Sequence, residues 1–126
     1  MPARAAKPKS ATIDVRAEIA ARLYLMSQLA TLIEGLGAPS TAKLLAVRLP
    51  QLRRITTGKE GAAVELSRRI VDLGVVYARA SRVLDNERIR EWLTQPEPLL
   101  GTRTPITVLA THGPATVIGA LDARLT

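Results

Sequence analysis

The side chains best suited to recognition chemistry are hydrogen-bond donors gathered between residues 40 and 60. This segment carries five cations and one glutamine against a single carboxylate, Glu60. In a DNA major groove, glutamine pairs with adenine and arginine with guanine, whereas lysine and arginine also bind phosphates. The candidate DNA contacts are Lys43, Arg48, Gln51, Arg53, Arg54 and Lys59. The pattern is typical of a DNA-binding surface, although a highly charged solubilising surface would have the same composition.

Catalytic chemistry has few candidates in this sequence. The chain contains no cysteine and only one histidine, His112, which stands beside the helix-ending residue Gly113. A lone histidine at a helix end is typically exposed or interacts with the helix dipole. The carboxylates stand mostly three or four residues from arginines, as on solvated helix faces, and no metal-ligand spacing is present. We therefore expect a protein that is not an enzyme and needs no metal or cofactor.

Two short helices are predicted to position the donors, because residues 40–58 show two helical patterns separated by only a few residues. Ser40 is expected to cap the first helix, and Pro50 to occupy the first turn of the second. Leu52 and Ile55 would then face the core and turn the donors outward. Two helices so closely joined cross steeply, as in a helix-turn-helix, although a hairpin that merely packs remains the alternative.

Two positions depart from the usual helix-turn-helix pattern. Arg48 stands where a recognition helix normally has a serine or threonine cap, and Ala46 stands where the turn often has glycine. Both departures weaken the prediction of a DNA-binding unit that rests on spacing alone.

Longer helices are predicted on both sides of this unit. The first, from residue 13 to about 36, is predicted to be well buried, because its apolar stripe is widened by further leucines. The stripe consists of Ile19, Leu23, Met26, Ala30 and Ile33, and the widening residues are Leu25, Leu29, Leu32 and Leu36. The second runs from about residue 62 to 84 with a stripe of regular three- and four-residue spacing. Its flanking valines widen the apolar surface, which favours either a dimer contact or an ordinary intrachain core.

The rest of the chain is predicted to form short, sharply bounded helices. Pro96 and Pro98 mark a loop after the helix that carries Trp92. Thr104 is expected to cap the next helix, which Gly113 terminates, and Pro114 opens the last. Since no segment alternates with the period of a β-strand, the predicted fold class is all-α.

Composition supports a small intracellular protein. The 126 residues carry a net charge of +7, and the absence of cysteine suits a reducing cytoplasm. Residues 1–12 are basic and proline-containing, which predicts a disordered tail and neither a signal peptide nor a membrane span. Residues 86–126, in contrast, contain equal numbers of cations and carboxylates.

The segment from Trp92 to Gly113, followed by a helix, resembles the C-terminal domain of the Xre/MbcA/ParS antitoxin family. The matching features are a tryptophan, a Pro-x-Pro loop, a Leu-x-Gly turn, a Thr-Pro helix start and a Leu-x-Thr-x-x-Gly ending. They are carried by Trp92, Pro96, Pro98, Leu99, Gly101, Thr104, Pro105, Leu109, Thr111 and Gly113. Family members carry an Xre-like helix-turn-helix before this domain, a position that residues 40–58 occupy here.

This resemblance implies a type II toxin–antitoxin system. The partner would be a RES-domain toxin that consumes NAD or uses it for ADP-ribosylation, and the antitoxin would repress its own operon. Family members often continue past the last helix with a glycine and an apolar tail, but this sequence ends at Thr126. Blockage of the toxin by the helices, or by the last residues, is therefore the alternative to tail insertion.

The resemblance divides the chain into a disordered tail (1–12), a DNA-binding and dimerising region (13–85) and a toxin-binding domain (86–126). Most motif residues are expected to be structural: Trp92, Leu99, Ile106, Leu109 and Leu121 in the core, with Gly101, Thr104 and Pro105 shaping the turn. The candidate toxin contacts are Arg103, Thr111, His112, Arg124, Leu125 and Thr126. A free-standing homodimeric transcription regulator remains the alternative function.

Overall fold

A computed structural model describes residues 14–125 and shows an all-helical fold, which confirms the predicted fold class. The described part contains no named strand. It comprises α1 (Val15–Leu36), α2 (Ala38–Leu45), α3 (Leu49–Thr56), α4 (Val64–Ala80), α5 (Asn86–Thr94), a 3-10 helix (Pro98–Leu100), α6 (Pro105–His112) and α7 (Pro114–Leu125). The predicted tail of residues 1–12, together with Ile13 and Thr126, lies outside the described residues.

Helix α1 buries only part of the wide apolar face predicted for it. It begins after Asp14, whose carboxylate accepts hydrogen bonds from the N–H groups of the first turn, and ends at Gly37, with φ of +90°. Its buried residues are Leu29, Leu32 and Leu36, all in the C-terminal half. These three belong to the predicted apolar face, whereas the prediction that Ile19, Leu23 and Ala30 are also buried was wrong, because the other helices cover only the side of α1 that carries the three leucines.

Helix α4 packs against α1, α2, α6 and α7. Its predicted stripe is largely buried, with Leu66, Ile70, Leu73 and Ala80 in one hydrophobic core that also includes residues of every other α-helix. Because the neighbouring helices cover α4, few of its apolar side chains are exposed, among them Val64 and Val75. The helix ends at Ala80, four residues earlier than predicted, because the N–H groups of the following turn fold back onto its carbonyl.

Glycines allow α1 and α4 to approach closely. A β carbon on Gly35 would lie 1.9 Å from the hydroxyl oxygen of Tyr77, and one on Gly74 would lie 2.1 Å from the side-chain oxygen of Gln28. Each glycine therefore leaves room for a polar side chain of the opposite helix, and the Tyr77 hydroxyl donates a 2.7 Å hydrogen bond to Asn86.

The C-terminal helices begin and end where predicted. The Thr104 hydroxyl accepts a hydrogen bond from the N–H of Thr107, Gly113 ends α6 with φ of +83°, and Pro114 opens α7. One core prediction was wrong, since Leu99 is exposed and Leu100 is buried in its place. The 3-10 turn between Glu97 and Gly101 rotates the second leucine, not the first, toward the core. No described helix is long and apolar enough to cross a membrane.

Candidate functional site

The connection between α2 and α3 consists of only three residues, 46–48. Ala46 adopts the left-handed conformation, with φ of +58° and ψ of +41°, at the position where the sequence pattern lacked glycine. Its N–H and that of Val47 satisfy carbonyls at the end of α2, at 3.1 Å and 3.0 Å. The chain therefore turns sharply enough for both short helices to pack on α1.

The ends of these two helices match the predictions in part. Ser40 does not cap α2, because the helix already begins at Ala38 and Ser40 lies inside its first turn. Pro50 lies in the first turn of α3, as predicted, while Arg48 occupies the cap position without a side-chain cap. The absence of a capping oxygen leaves the first N–H groups of α3 open to an anion.

Helix α3 separates apolar and polar side chains cleanly. Leu52 and Ile55 are buried, as predicted, whereas Arg53 and Arg54 are exposed and Gln51 is half-buried. Lys43, Arg48 and Lys59 are also exposed. Within residues 14–125, the side chains of Lys43, Arg48, Arg53 and Lys59 form no ion pair. These four cations are therefore available to an external anion.

Glu60 joins two of the predicted base-reading side chains. Its carboxylate accepts a 2.7 Å hydrogen bond from Nε of Arg54 and a 3.3 Å hydrogen bond from Nε2 of Gln51. The hydrogen bond and charge of Arg54 outweigh desolvation and hold the pKa of Glu60 below its ordinary value. In the sequence, Glu60 stands out only as the one carboxylate of this segment, so its contacts with Arg54 and Gln51 were not predicted.

A second polar site lies in the C-terminal region around Glu97, whose side chain is 1% exposed. Its Oε1 accepts hydrogen bonds from the indole N–H of Trp92 (2.8 Å) and from Arg124 (3.2 Å), and its Oε2 accepts one from the N–H of Leu99 (2.9 Å). The site therefore links α5, the 3-10 turn and α7 through one carboxylate.

The charge of Glu97 is stabilised within the fold. Burial acts to raise the pKa of Glu97, but hydrogen bonds from Leu99 and Trp92 and the charge of Arg124 outweigh it, so the pKa lies below its ordinary value. The backbone of Glu97 also pairs with Arg103, whose carbonyl accepts its N–H at 3.0 Å. Gly101 (φ +69°) and Thr102 (φ +64°) close this loop in left-handed conformations.

An open groove of about 490 Å³ lies beside this site. Trp92, Glu97 and Arg124 line it, with Arg88 and Glu91 contributing further charges. Among residues 14–125, no three acidic or histidine side chains are placed to hold a metal ion. The mixed charges and one indole of the groove suit contact with another protein.

The structure brings together only some of the candidate toxin contacts. Arg103 and Arg124 both bind the Glu97 region, and Arg103 also donates to the carbonyl of Leu100. Leu125 follows at the end of α7 and is 44% exposed. Thr111 and His112 bind each other at the end of α6, at 2.8 Å, and no described hydrogen bond joins them to the two arginines.

Glu97 is the residue of this site that was not predicted from the sequence. It was treated as the variable position of the Pro-x-Pro loop, although a carboxylate directly before a proline at a helix start is a recognisable cap. In comparisons with family models, curated proteins and solved structures, no match to this chain was found.

Proposed function

We propose that this protein is a DNA-binding antitoxin, which represses its own operon through the α2–α3 unit and neutralises a RES-domain toxin through residues 86–126. The observation that carries the DNA-binding part is the cationic side of α2–α3, where four exposed cations form no ion pair with any residue from 14 to 125. The toxin-binding part rests on the resemblance of the C-terminal segment to the Xre/MbcA/ParS family.

The packing of α3 supports a role as recognition helix. Because Leu52 and Ile55 anchor the helix to the core, Arg53 and Arg54 extend from the opposite side, where a groove would meet them. Lys43 lies in the last turn of α2 and Lys59 follows the end of α3, and both suit phosphate contacts. Two arginines and a glutamine on one short helix combine the donors that read guanine and adenine.

The C-terminal region supports a different partner. It is neutral overall, and two of the residues that carry the resemblance shape its turn, with Gly101 left-handed and Thr104 capping α6. Arg124 is exposed and lines the groove, and Arg103 is exposed in the loop whose backbone pairs with Glu97. Cations at this position suit acidic residues of a toxin, or a pocket that otherwise holds the phosphates of NAD.

The first experiment separates the two activities. Full-length protein carrying Arg53→Ala and Arg54→Ala is expected to lose operator binding in a titration, while inhibiting NAD consumption by the RES-domain partner as well as the unchanged protein. A matched control, Arg16→Ala with Arg82→Ala, removes two exposed cations elsewhere and should retain both activities. If the control lost operator binding equally, general charge and not the α3 surface would explain binding.

The second experiment concerns the C-terminal contacts. Deleting residues 122–126 would also break the pair between Arg79 and Asp122, at 2.8 Å, so point substitutions are cleaner. Leu125→Ser is expected to weaken toxin inhibition and leave DNA binding unchanged. An intact protein that does not inhibit the neighbouring RES-domain protein would refute the antitoxin proposal for that partner.

A free-standing homodimeric transcription regulator is the alternative, because the α2–α3 surface alone supports it. The two functions predict different neighbouring genes and different results on purification. An antitoxin gene should lie beside a gene for a RES-domain protein, and the two products should co-purify, whereas a free-standing regulator would bind DNA without such a partner.

A further inference from the structure

The N-terminal half of α1 carries an apolar stripe that the described chain leaves uncovered. Val15, Ile19 and Leu23 are 61%, 53% and 58% exposed, and Met26 continues the stripe half-buried. Their spacings of four, four and three place them on one side of the helix. Since α4 buries its own stripe inside the chain, this side of α1 is the stronger candidate for self-association.

Two opposite charges border the same stripe. Glu18 and Arg22 lie one turn apart along one edge, and neither forms an ion pair within residues 14–125. Both are exposed. An edge with one acid and one base separated by a turn is complementary to itself when a second copy runs in the opposite direction.

We infer that the α1 stripe is an antiparallel dimer interface with a two-fold axis beside residue 20. At a rise of about 1.5 Å per residue, this register interleaves the apolar side chains of the two copies. Ile19 meets Ile19 of the second copy, and Leu23 lies between Ile19 and Val15 of the second copy. The same register sets Glu18 at the height of Arg22 of the second copy, twice by symmetry.

Charge complementarity favours a second copy over other occupants. The spacing of Glu18 and Arg22 places the axis beside residue 20, and the apolar side chains interleave at that register. The preceding segment, residues 1–12, is a poor alternative, because after Met1 it contains no large apolar side chain. If that segment did cover the stripe, the protein would remain monomeric in the measurement below.

The interface is small, so the dimer should be weak. Only about four apolar side chains per copy take part, which places the buried area at the low end for protein complexes. We expect a dissociation constant on the order of 10–500 μM, and hence a mixture of monomer and dimer in a sedimentation equilibrium series from about 10 μM to 1 mM. A purely monomeric protein throughout this series would overturn the inference.

Apolar substitutions test the surface. Ile19→Ser and Leu23→Ser are each expected to raise the dissociation constant at least tenfold. Leu99→Ser is the matched control, because Leu99 is similarly exposed, at 54%, but lies in the C-terminal loop. Circular dichroism should show all three variants folded, since none of the three side chains is buried. Equal weakening by the control would assign association to another surface.

Charge reversal tests the register. Glu18→Arg alone and Arg22→Glu alone place like charges opposite each other, and each should weaken the homodimer about fivefold or more. An equimolar mixture of these two variants restores opposite charges at both contacts and should form a heterodimer close to the original in strength. Failure of the mixture to associate better than either variant alone would exclude this register.

Single thiols test the direction of the helices, and the absence of native cysteine makes them unambiguous. Ile19→Cys stands beside the axis and should form a disulfide-linked dimer on mild oxidation. Leu23→Cys should not, because its two copies would be about 9 Å apart along the helix axis. A parallel arrangement would cross-link both variants, and that result would contradict the antiparallel pairing.

Discussion

Arg54 donates to the carboxylate of Glu60 at 2.7 Å, and the same carboxylate accepts from Gln51. The acid therefore holds two proposed base-reading donors on the surface of α3. An incoming phosphate or base must compete with this carboxylate for Arg54. The contact orients the side chains before binding and also lowers the local positive charge.

Replacing this acid should strengthen DNA binding. We expect Glu60→Gln to raise affinity for duplex DNA about three- to tenfold near physiological salt, because one negative charge leaves the phosphate-facing surface. Discrimination between operator and unrelated DNA should fall, since Arg54 and Gln51 lose their shared anchor. Fluorescence anisotropy with both DNAs measures the two effects. Glu91→Gln, an exposed acid on α5, is the control, and an equal gain there would argue against a local effect.

The salt dependence of binding should distinguish phosphate contacts from base contacts. Lys59→Ala is expected to flatten the slope of log affinity against log salt by about 0.9 for every DNA sequence. Arg54→Ala should weaken binding mainly to the preferred operator, by about 1–3 kcal/mol. If both variants bound the operator with the affinity and salt slope of the unchanged protein, α3 would not be the DNA-contacting helix.

The α2–α3 turn should become more stable with glycine. Ala46 is exposed and has φ of +58°, a conformation that costs residues with a β carbon about 1–2 kcal/mol. The entropy of glycine in the unfolded chain offsets part of this cost, so Ala46→Gly should stabilise the protein by about 0.5–1 kcal/mol. Thermal unfolding should show the gain. Ala78→Gly, inside α4 and also exposed, should instead destabilise it by a similar amount.

The buried carboxylate of Glu97 should make the stability of the protein depend on pH in the acidic range. Because the pKa of Glu97 is lowered in the folded protein, the unfolded chain binds a proton more readily. The stabilisation is therefore complete above the ordinary glutamate pKa of about 4.3 and is lost as the pH falls through the lower folded value. Glu97→Gln should cost about 1–3 kcal/mol at pH 7 and lose less stability than the unchanged protein on acidification. Denaturant titrations at pH 7 and near pH 3 measure the free energy of unfolding of the variant and of the unchanged protein. If both proteins lost the same stability on acidification, the stabilising role of the Glu97 carboxylate would be contradicted.

The close approach of α1 and α4 should make residue 35 sensitive to one added methyl group. Gly35→Ala would place a β carbon 2.6 Å from the ring of Tyr77 and displace the hydroxyl from Asn86. We expect a net cost of about 1–3 kcal/mol despite the better helix propensity of alanine. In a double-mutant cycle, Tyr77→Leu should remove most of that cost. Additive losses would show that the tyrosine ring is not the obstacle.

The sequence alone determined where most helices begin and end, because these signals act within three or four residues. Pro50 and Pro114 start helices where their missing N–H groups are harmless, Thr104 caps α6, and Gly113 ends it with a positive φ. The sequence also predicted the burial of Leu52 and Ile55, because α3 has only one apolar side.

Tertiary structure decided which of several apolar surfaces became core. Helix α1 has apolar residues on adjoining sides, so periodicity alone could not predict whether Ile19 or Leu29 is buried. The packing of the other helices, α4 above all, buries Leu29 and leaves Ile19 exposed. Tertiary contacts also assembled the Glu97 site, whose partner Arg124 is 27 residues away in the chain. Local rules govern backbone hydrogen bonds at helix ends, but burial and long-range pairing depend on how whole helices pack.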